Sequence, residues 1–570
     1  MFGSVLKWLT QPSPERENYR NSKEAFLALV GYSIGLGNFW RFPYLCYVHG
    51  GATFIIAYVV CMVCVGMPMN LLEQSLGQYV GLGPTHIFPY MFPILGGIGW
   101  GMTMIRVMIC VYYNVILSWS LFYAGASFIS PLPWSHCLDL PKGGDCSRKS
   151  VELSYRAAED YFEHDVLGKP EGDESPYEMH WWLVLCLGLS WGLVCVCLFQ
   201  GIRHAGKILH VTVTYPYVVL ICLFALNYDE INKKAKNQWL QNLTTIELDK
   251  FFKPKLWSAA ASQVIYSLGV GFGGVSMIAS HNKLTHNVIR DTFLLCLLDV
   301  LTSVLCGNVL FSLAGSLSPD MISDNNGFSQ LVFTLFSALF ARITSSLWSF
   351  LFFVMIFSLG FDSLLFMVEA VTTTLLDQFS NFRRYYLLVI FSTCFTLFLL
   401  GLPMCTRGGF FFFDLMNEYT AKHSLFFVAL LEVVITSYFY GHQNVLKFMK
   451  KYFKVRVPRP LRWYLAATWR VITPVCLLLL FVGSLYNEDW MSEKTKTLSF
   501  ICGQAIAFAP ILVIPGYALY AYYTKGTKSL KDLFTTRPEF ETRKFRKGER
   551  PPDPAREVDT LSFGYFIRHI

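Results

Sequence analysis

The feature that most constrains this fold is a series of about twelve apolar segments, each long enough to cross a lipid bilayer. A transmembrane helix needs roughly 20 predominantly apolar residues, and the 570-residue chain is 54% hydrophobic but only 15% charged. Because lipid cannot hydrate the backbone, each span has to satisfy its own N–H and C=O groups as a helix. We therefore predict an all-α membrane protein with about 12 transmembrane helices. The spans begin near Ala25, Thr53, Gly99, Trp181, Ile208, Trp257, Thr292, Leu347, Tyr385, Gly409, Leu461 and Leu498.

Basic residues in the short loops predict the orientation of these spans. Arg203 follows span 4, Arg290 follows span 6 and Arg383 follows span 8, so all three lie on one side of the membrane. Cytoplasmic loops are enriched in Lys and Arg, so this side and both termini are predicted to be cytoplasmic. The net charge of +8 is spread over these loops and the tails, which argues against a nucleic-acid partner. The predicted parts are a cytoplasmic tail (1–24), a twelve-helix membrane domain (25–524) with an extracellular loop (131–180), and a second cytoplasmic tail (525–570).

The predicted extracellular side carries two sites of covalent modification. Cys137 and Cys146 flank a polar stretch in the long loop, where an oxidising environment favours a disulfide bond. Asn242 begins an Asn-Leu-Thr sequon in another outer loop, which predicts N-glycosylation. Most of the other cysteines lie inside apolar segments and are interpreted as small hydrophobic residues.

Two spans contain alternating glycines that a continuous helix does not favour. One stretch runs from Gly31 to Asn38 in span 1, and the other runs from Ser267 to Gly273 in span 6. Matching interruptions five spans apart are typical of secondary transporters built from two inverted repeats, here spans 1–5 and 6–10, with the binding site at the breaks. The alternative is that the small residues only permit close packing of helices.

Ionisable side chains inside the spans support a polar pathway, because each is costly in lipid. Asp299 and Asp362 lie beside Ser and Thr residues, and their hard oxygen ligands suit Na⁺. Glu73 and Glu432 are interpreted as groups that satisfy the backbone at helix bends.

A long motif identifies the family that the chain resembles. Gly31 to Tyr47, GYSIGLGNFWRFPYLCY, resembles the first helix of the neurotransmitter:sodium symporters, also called solute carrier 6. The resemblance covers roughly residues 15 to 525. It continues through Gly50, Gly51, Tyr58, Glu73, Gly77, Gln78, Tyr112, Tyr113, Asn114, Gln263, the stretch from Ser267 to Gly269 and the stretch from Leu359 to Ser363.

The resemblance implies two sodium sites and a chloride site. Most family members carry Asn at the position of Asp299, whereas the insect nutrient amino acid transporters are similar to this chain in having Asp. A carboxylate there supplies the negative charge that bound chloride otherwise contributes, so we expect weak chloride dependence. The implied residues are Ser33, Asn38, Ser267 and Asp299 for one sodium, Gly31, Ile34, Leu359, Asp362 and Ser363 for the other, and Tyr58, Gln263, Ser267 and Ser303 for chloride.

The resemblance also implies a substrate pocket between two gates. Tyr113 matches the tyrosine that binds a substrate carboxylate, and Gly35 replaces the Asp of monoamine transporters, which favours an amino acid. The pocket is predicted to be apolar at Ile109, Gly269, Leu364 and Met367, which suggests a neutral side chain. The full predicted substrate set is Ser33, Gly35, Gly37, Ile109, Tyr113, Tyr266, Gly269, Phe272, Ser363 and Met367. The predicted gates are Arg41 with either Asn417 or Glu418 on the outside, and Arg16 with Asp377 on the inside.

These features predict a sodium-coupled symporter of neutral amino acids in the plasma membrane, working by alternating access. A channel and a non-transporting amino acid sensor are the alternatives. The predicted partners are a small amino acid and membrane lipid, and no oligomeric state is predicted. An enzyme is not expected, since no nucleophile motif accompanies His281 and His286.

Overall fold

The computed structural model describes residues 18–135, 151–169, 175–199, 201, 208–230, 246–314, 328–343, 345–486, 497–524, 533–537 and 540. Within these ranges the chain is helical, and the only β feature is an isolated bridge between Met179 and Thr406. Nine helices in this part of the chain are long and apolar enough to cross a membrane. Each of the predicted span starts lies inside a helix or one residue before it. The prediction of an all-α, multi-span membrane protein is confirmed.

The helices of the first half include both interrupted spans. Span 1 consists of α1, a π-helical turn over Gly37–Arg41, and α2. Span 6 consists of α11 and α12, separated by a glycine-rich bend. In chain order these helices are α1 (Ser22–Ser33), α2 (Phe42–His49), α3 (Ala52–Cys61), α4 (Met67–Val80), α5 (Pro84–Met91), α6 (Gly97–Ala126), α7 (Val151–Tyr161), α8 (Trp181–Leu198), α9 (Thr214–Glu230), α10 (Leu248–Phe251), α11 (Pro254–Leu268) and α12 (Gly274–Ser280).

The helices of the second half complete the bundle. The long α15 packs along most of α6, and α1 packs against α15 as well. The site described below therefore lies where α1, the bend after α11, α13 and α15 meet. These helices are α13 (Val288–Ala314), α14 (Phe328–Ile343), α15 (Ser346–Gln378), α16 (Tyr386–Gly401), α17 (Gly409–Tyr419), α18 (Ser424–Val434), α19 (His442–Tyr452), α20 (Arg459–Ala467), α21 (Thr473–Tyr486) and α22 (Thr497–Thr524).

Contact between α4 and α12 holds the second half of span 6 in place. A Cβ atom added to Gly77 of α4 would lie only 2.0 Å from the carbonyl oxygen of Ser276 in α12. Side chains cannot be that close to backbone atoms, so the glycine sets how closely the two helices approach.

Gly77→Ala is expected to lower the free energy of unfolding by about 1–3 kcal/mol, since the backbone of α12 has to move to admit the methyl group. Thermal unfolding of the purified protein in detergent measures this change. Gly192→Ala in α8 is the matched control, because its Cβ atom would meet no atom within 4 Å. An equal loss of stability in both variants would contradict the role of close packing at Gly77.

Candidate functional site

The interrupted spans 1 and 6 lie side by side at their breaks. After Ser33 the chain leaves the helix at Ile34, whose φ of −89° and ψ of 104° are those of extended backbone. In span 6 the bend is made by Gly269, Gly271 and Gly273, which adopt left-handed φ angles of 62°, 82° and 72° that favour glycine. The alternating glycines of the sequence therefore mark a true break in span 6, and the prediction of interrupted helices is confirmed.

Side chains from neighbouring spans bond the backbone groups that the breaks expose. The Glu73 carboxylate of α4 accepts the N–H of Gly271 at 2.5 Å, and the Tyr32 hydroxyl donates to the carbonyl of Gly269 at 3.2 Å. The Gln263 amide donates to the carbonyl of Gly37 at 3.1 Å. Because an unpaired backbone group is costly in lipid, these bonds stabilise the breaks.

Asp299 of α13 lies at the centre of the first predicted ion site and is fully buried. Its Oδ1 accepts from the Ser267 hydroxyl at 2.5 Å and from the Asn38 amide at 2.7 Å. Its Oδ2 accepts from the Tyr58 hydroxyl at 2.5 Å. The Asn38 amide also reaches the hydroxyl of Ser303, at 2.9 Å. The structure thus brings three of the four predicted sodium residues, Asn38, Ser267 and Asp299, together with the predicted chloride residues Tyr58 and Ser303. The fourth, Ser33, donates instead to the carbonyl of Leu268, at 3.1 Å.

The second predicted ion site is a small cavity lined by spans 1, 5 and 8. Gly31, Ile34, Leu359 and Asp362 all line this cavity. The Ser363 hydroxyl donates to the carbonyl of Gly31 at 3.1 Å. Asp362 is buried, and among the described residues its Oδ1 has no hydrogen-bond partner. An unpaired carboxylate oxygen beside backbone carbonyls fits a hard cation such as Na⁺.

The predicted carboxylate-binding end of the pocket is narrow at Gly35. A Cβ atom there would lie 2.7 Å from the Ser363 hydroxyl and 3.4 Å from the Tyr113 hydroxyl. Gly37 differs, because a Cβ atom there would meet nothing within 4 Å. A side chain at Gly35 would therefore have to displace the Ser363 hydroxyl, whereas Gly37 borders open volume.

Three of the remaining predicted pocket residues, Tyr266, Gly269 and Phe272, belong to span 6 at or beside its bend. The rings of Tyr266 and Phe272 are 6.2 Å apart on either side of it. A Cβ atom on Gly269 would lie 2.5 Å from the ring of Tyr32. Ile109 is buried in α6, and Met367 is partly buried in α15.

The structure gives the predicted gate residues particular partners. The Arg41 guanidinium lies 4.1 Å from the centre of the Tyr266 ring. Within the described ranges, the ion pair of Glu418 is with Lys422, one helical turn away at 3.3 Å. Asp377 pairs with Arg383 at 3.1 Å. The predicted partner of Asp377, Arg16, lies outside the described residues, as do Cys137, Cys146 and Asn242.

One buried charge at the site was not selected from the sequence. Arg106 of α6 is fully buried, and its guanidinium reaches the carbonyl of Gly273 at 3.4 Å and the Thr103 hydroxyl at 2.9 Å. The signal for it was available, since it is the only charged residue within the thirty residues of α6. A lone arginine in a long apolar helix is a candidate functional position.

Comparison with known proteins gives one family. The model described as Sodium:neurotransmitter symporter family matches residues 16–525. The chain is 32% identical over 525 residues to the sodium-dependent serotonin transporter of Drosophila melanogaster, which covers 89% of this chain and 83% of that relative. It is 32% identical over 597 residues to the sodium- and chloride-dependent neutral and basic amino acid transporter B(0+) of Mus musculus, with 96% and 93% covered. It is 30% identical over 542 residues to the sodium- and chloride-dependent GABA transporter ine of Drosophila melanogaster, and there it spans 89% of its own length but 56% of the relative.

Gly35→Ala is expected to lower the free energy of unfolding by about 1–3 kcal/mol, because its methyl group would press on Ser363. Thermal unfolding without added substrate measures the change. Gly37→Ala is the control, since its methyl group enters open space. Gly35→Ala as stable as the wild type would show that the contact with Ser363 does not restrict this position.

Proposed function

We propose that this chain, which belongs to the sodium:neurotransmitter symporter family and is a sodium-coupled symporter, carries neutral amino acids with little dependence on chloride. The protein is a multi-span membrane transporter and not an enzyme. We further propose that it resides in the plasma membrane with both termini in the cytoplasm, as the loop charges predict.

The surroundings of Gly35 support an amino acid as the substrate. The glycine offers no charged group to a substrate amine, and the space beside it is bounded by the hydroxyls of Tyr113 and Ser363. Of these two, the Tyr113 hydroxyl is the donor that suits a carboxylate provided by the substrate, because the Ser363 hydroxyl donates to the carbonyl of Gly31. One relative is named for neutral and basic amino acids, which agrees with a substrate of this class.

The ion sites supply a physical reason for coupling. The cavity beside Asp362 is lined by spans 1, 5 and 8, and the Asp299 cluster joins spans 1, 2, 6 and 7. A sodium ion bound in either site would attract oxygen ligands on different spans and favour the conformation in which they are close. A ligand shifts a conformational equilibrium by its difference in affinity for the two states, so ions and substrate that favour the same closed state bind cooperatively.

The proposal of little dependence on chloride rests on the buried Asp299 carboxylate. It receives hydrogen bonds from Tyr58 and Ser267, two of the residues predicted to hold chloride. A covalently fixed anion among these hydroxyls offsets the sodium charge at short range, where the low dielectric makes the interaction strong. A second anion bound there would be repelled.

Sodium-driven uptake tests the function directly. Proteoliposomes with an inward sodium gradient are expected to accumulate labelled neutral amino acids, and most of this uptake should persist when gluconate replaces chloride. Specific binding of an amino acid without accumulation would indicate the sensor instead. Complete loss of uptake without chloride would contradict the role proposed for Asp299.

Asp299→Asn is expected to reduce uptake in gluconate by about tenfold or more and to make the residual uptake rise with chloride, since removal of the fixed charge leaves the sodium uncompensated. Chloride titration of the initial uptake rate measures this. Asp362→Asn is the matched control, because it makes the same chemical change in the other ion site and should weaken sodium binding without creating chloride dependence. A chloride response equal in both variants would overturn the assignment.

A further inference from the structure

A buried arginine in the first half of span 3 is not used by the ion and substrate chemistry described above. Arg106 has 0% of its surface exposed. Two of its nitrogens have partners, Thr103 and the carbonyl of Gly273, but among the described residues its Nε has none. An isolated cation is costly at membrane depth, and such residues typically face a binding site or a polar pathway.

The helix places Arg106 on the same face as the proposed carboxylate site. Arg106 and Tyr113 are seven residues apart in α6, which corresponds to two turns, or about 10 Å along the axis. Ile109, between them, is one of the predicted pocket residues. Tyr113 borders Gly35 at one end, and Arg106 reaches the bend of span 6 at Gly273 at the other. An amino acid that is held by its carboxylate at Tyr113 and lies along this face of α6 would place the end of its side chain near Arg106.

Glu73 limits what the positive charge of Arg106 does. The two groups interact electrostatically, and both are fully buried. Glu73 Oε1 is held by the N–H of Gly271 in the same bend as the Gly273 carbonyl. With this carboxylate nearby, the guanidinium offers N–H donors to the pocket rather than a net positive charge.

We propose that Arg106 forms the far end of the substrate pocket and selects amino acids whose uncharged side chain ends in a hydrogen-bond acceptor, such as the amide of glutamine. An apolar side chain of the same length leaves the buried N–H donor unpaired, which a site built for hydrogen bonding penalises. A cationic side chain offers no acceptor to these N–H groups and leaves the same donor unpaired. This inference rests on the proposed function and narrows its substrate class.

Uptake by the wild type is the first test. With an inward sodium gradient, kcat/KM for glutamine is expected to exceed that for methionine by about tenfold or more, and kcat/KM for lysine should be lower still. Equal values for glutamine and methionine would overturn the role of Arg106 while leaving the proposed function intact. Preference for glutamate over glutamine would also overturn it, since the arginine would then act as a net charge. Absence of sodium-driven uptake of every amino acid would instead refute the proposed function.

Two variants then separate selection from a structural role. Arg106→Met, similar in length but without donors, is expected to bring the glutamine-to-methionine ratio close to one by raising kcat/KM for methionine and lowering it for glutamine. Arg106→Lys keeps a donor and should retain part of the preference. If Arg106 only compensates Glu73, Arg106→Met would lower uptake of both substrates equally, and combining it with Glu73→Gln would restore both at an unchanged ratio. If Arg106→Met does not reach the membrane, the wild-type ratio and the Arg106→Lys variant still decide the matter.

Discussion

A helix that breaks inside a membrane exposes backbone N–H and C=O groups that lipid cannot hydrate, and the organisation of this protein depends on how those groups are satisfied. Each break here is supported by polar side chains that themselves need burial among protein atoms. The break in span 6 therefore explains why ionisable side chains lie in spans that are otherwise apolar. The supporting bonds are Glu73 to Gly271, Tyr32 to Gly269, Arg106 to Gly273, Gln263 to Gly37 and Ser33 to Leu268.

The buried charges are likewise stabilised by neighbouring polar groups. Asp299 is fully buried, and hydroxyl and amide donors from Asn38, Tyr58 and Ser267 all point to its two oxygens. Such a ring of donors stabilises an anion in a low-dielectric interior. In this chain the anion is part of the protein, so the donors are occupied whether or not an ion is bound. Asp362 lacks such a complete ring: among the described residues its Oδ1 has no hydrogen-bond partner, and the residue lines a cavity. The two carboxylates therefore differ in how many hydrogen-bond donors surround them at the two predicted sodium sites.

The sequence predicted features that depend on local pattern and missed those that depend on tertiary neighbours. Span positions follow from hydrophobic length, and the bend of span 6 follows from glycines whose positive φ angles other residues resist. The partners of long side chains could not be predicted in this way, because several rotamers of Arg41 or Glu418 reach different groups. The structure places Arg41 over Tyr266 and pairs Glu418 with Lys422. Arg106 was detectable from its isolation in an apolar helix, but its contact with Gly273 required the bend itself.

The contact between Arg41 and Tyr266 bears on how the predicted outer gate works. A cation–π contact contributes about 0.5–2 kcal/mol, whereas breaking a buried ion pair costs about 3–5 kcal/mol. Alternating access requires the open and closed states to lie within a few kcal/mol of each other, so that ions and substrate can shift the balance. Tyr266 also donates to the carbonyl of Ala421, at 2.9 Å, and so connects span 6 to the turn between α17 and α18. Arg41 stacks on the face of this same ring, so one aromatic side chain joins spans 1, 6 and 10. Because these contacts are individually weak, the predicted outer gate is expected to close on a bound substrate and still reopen.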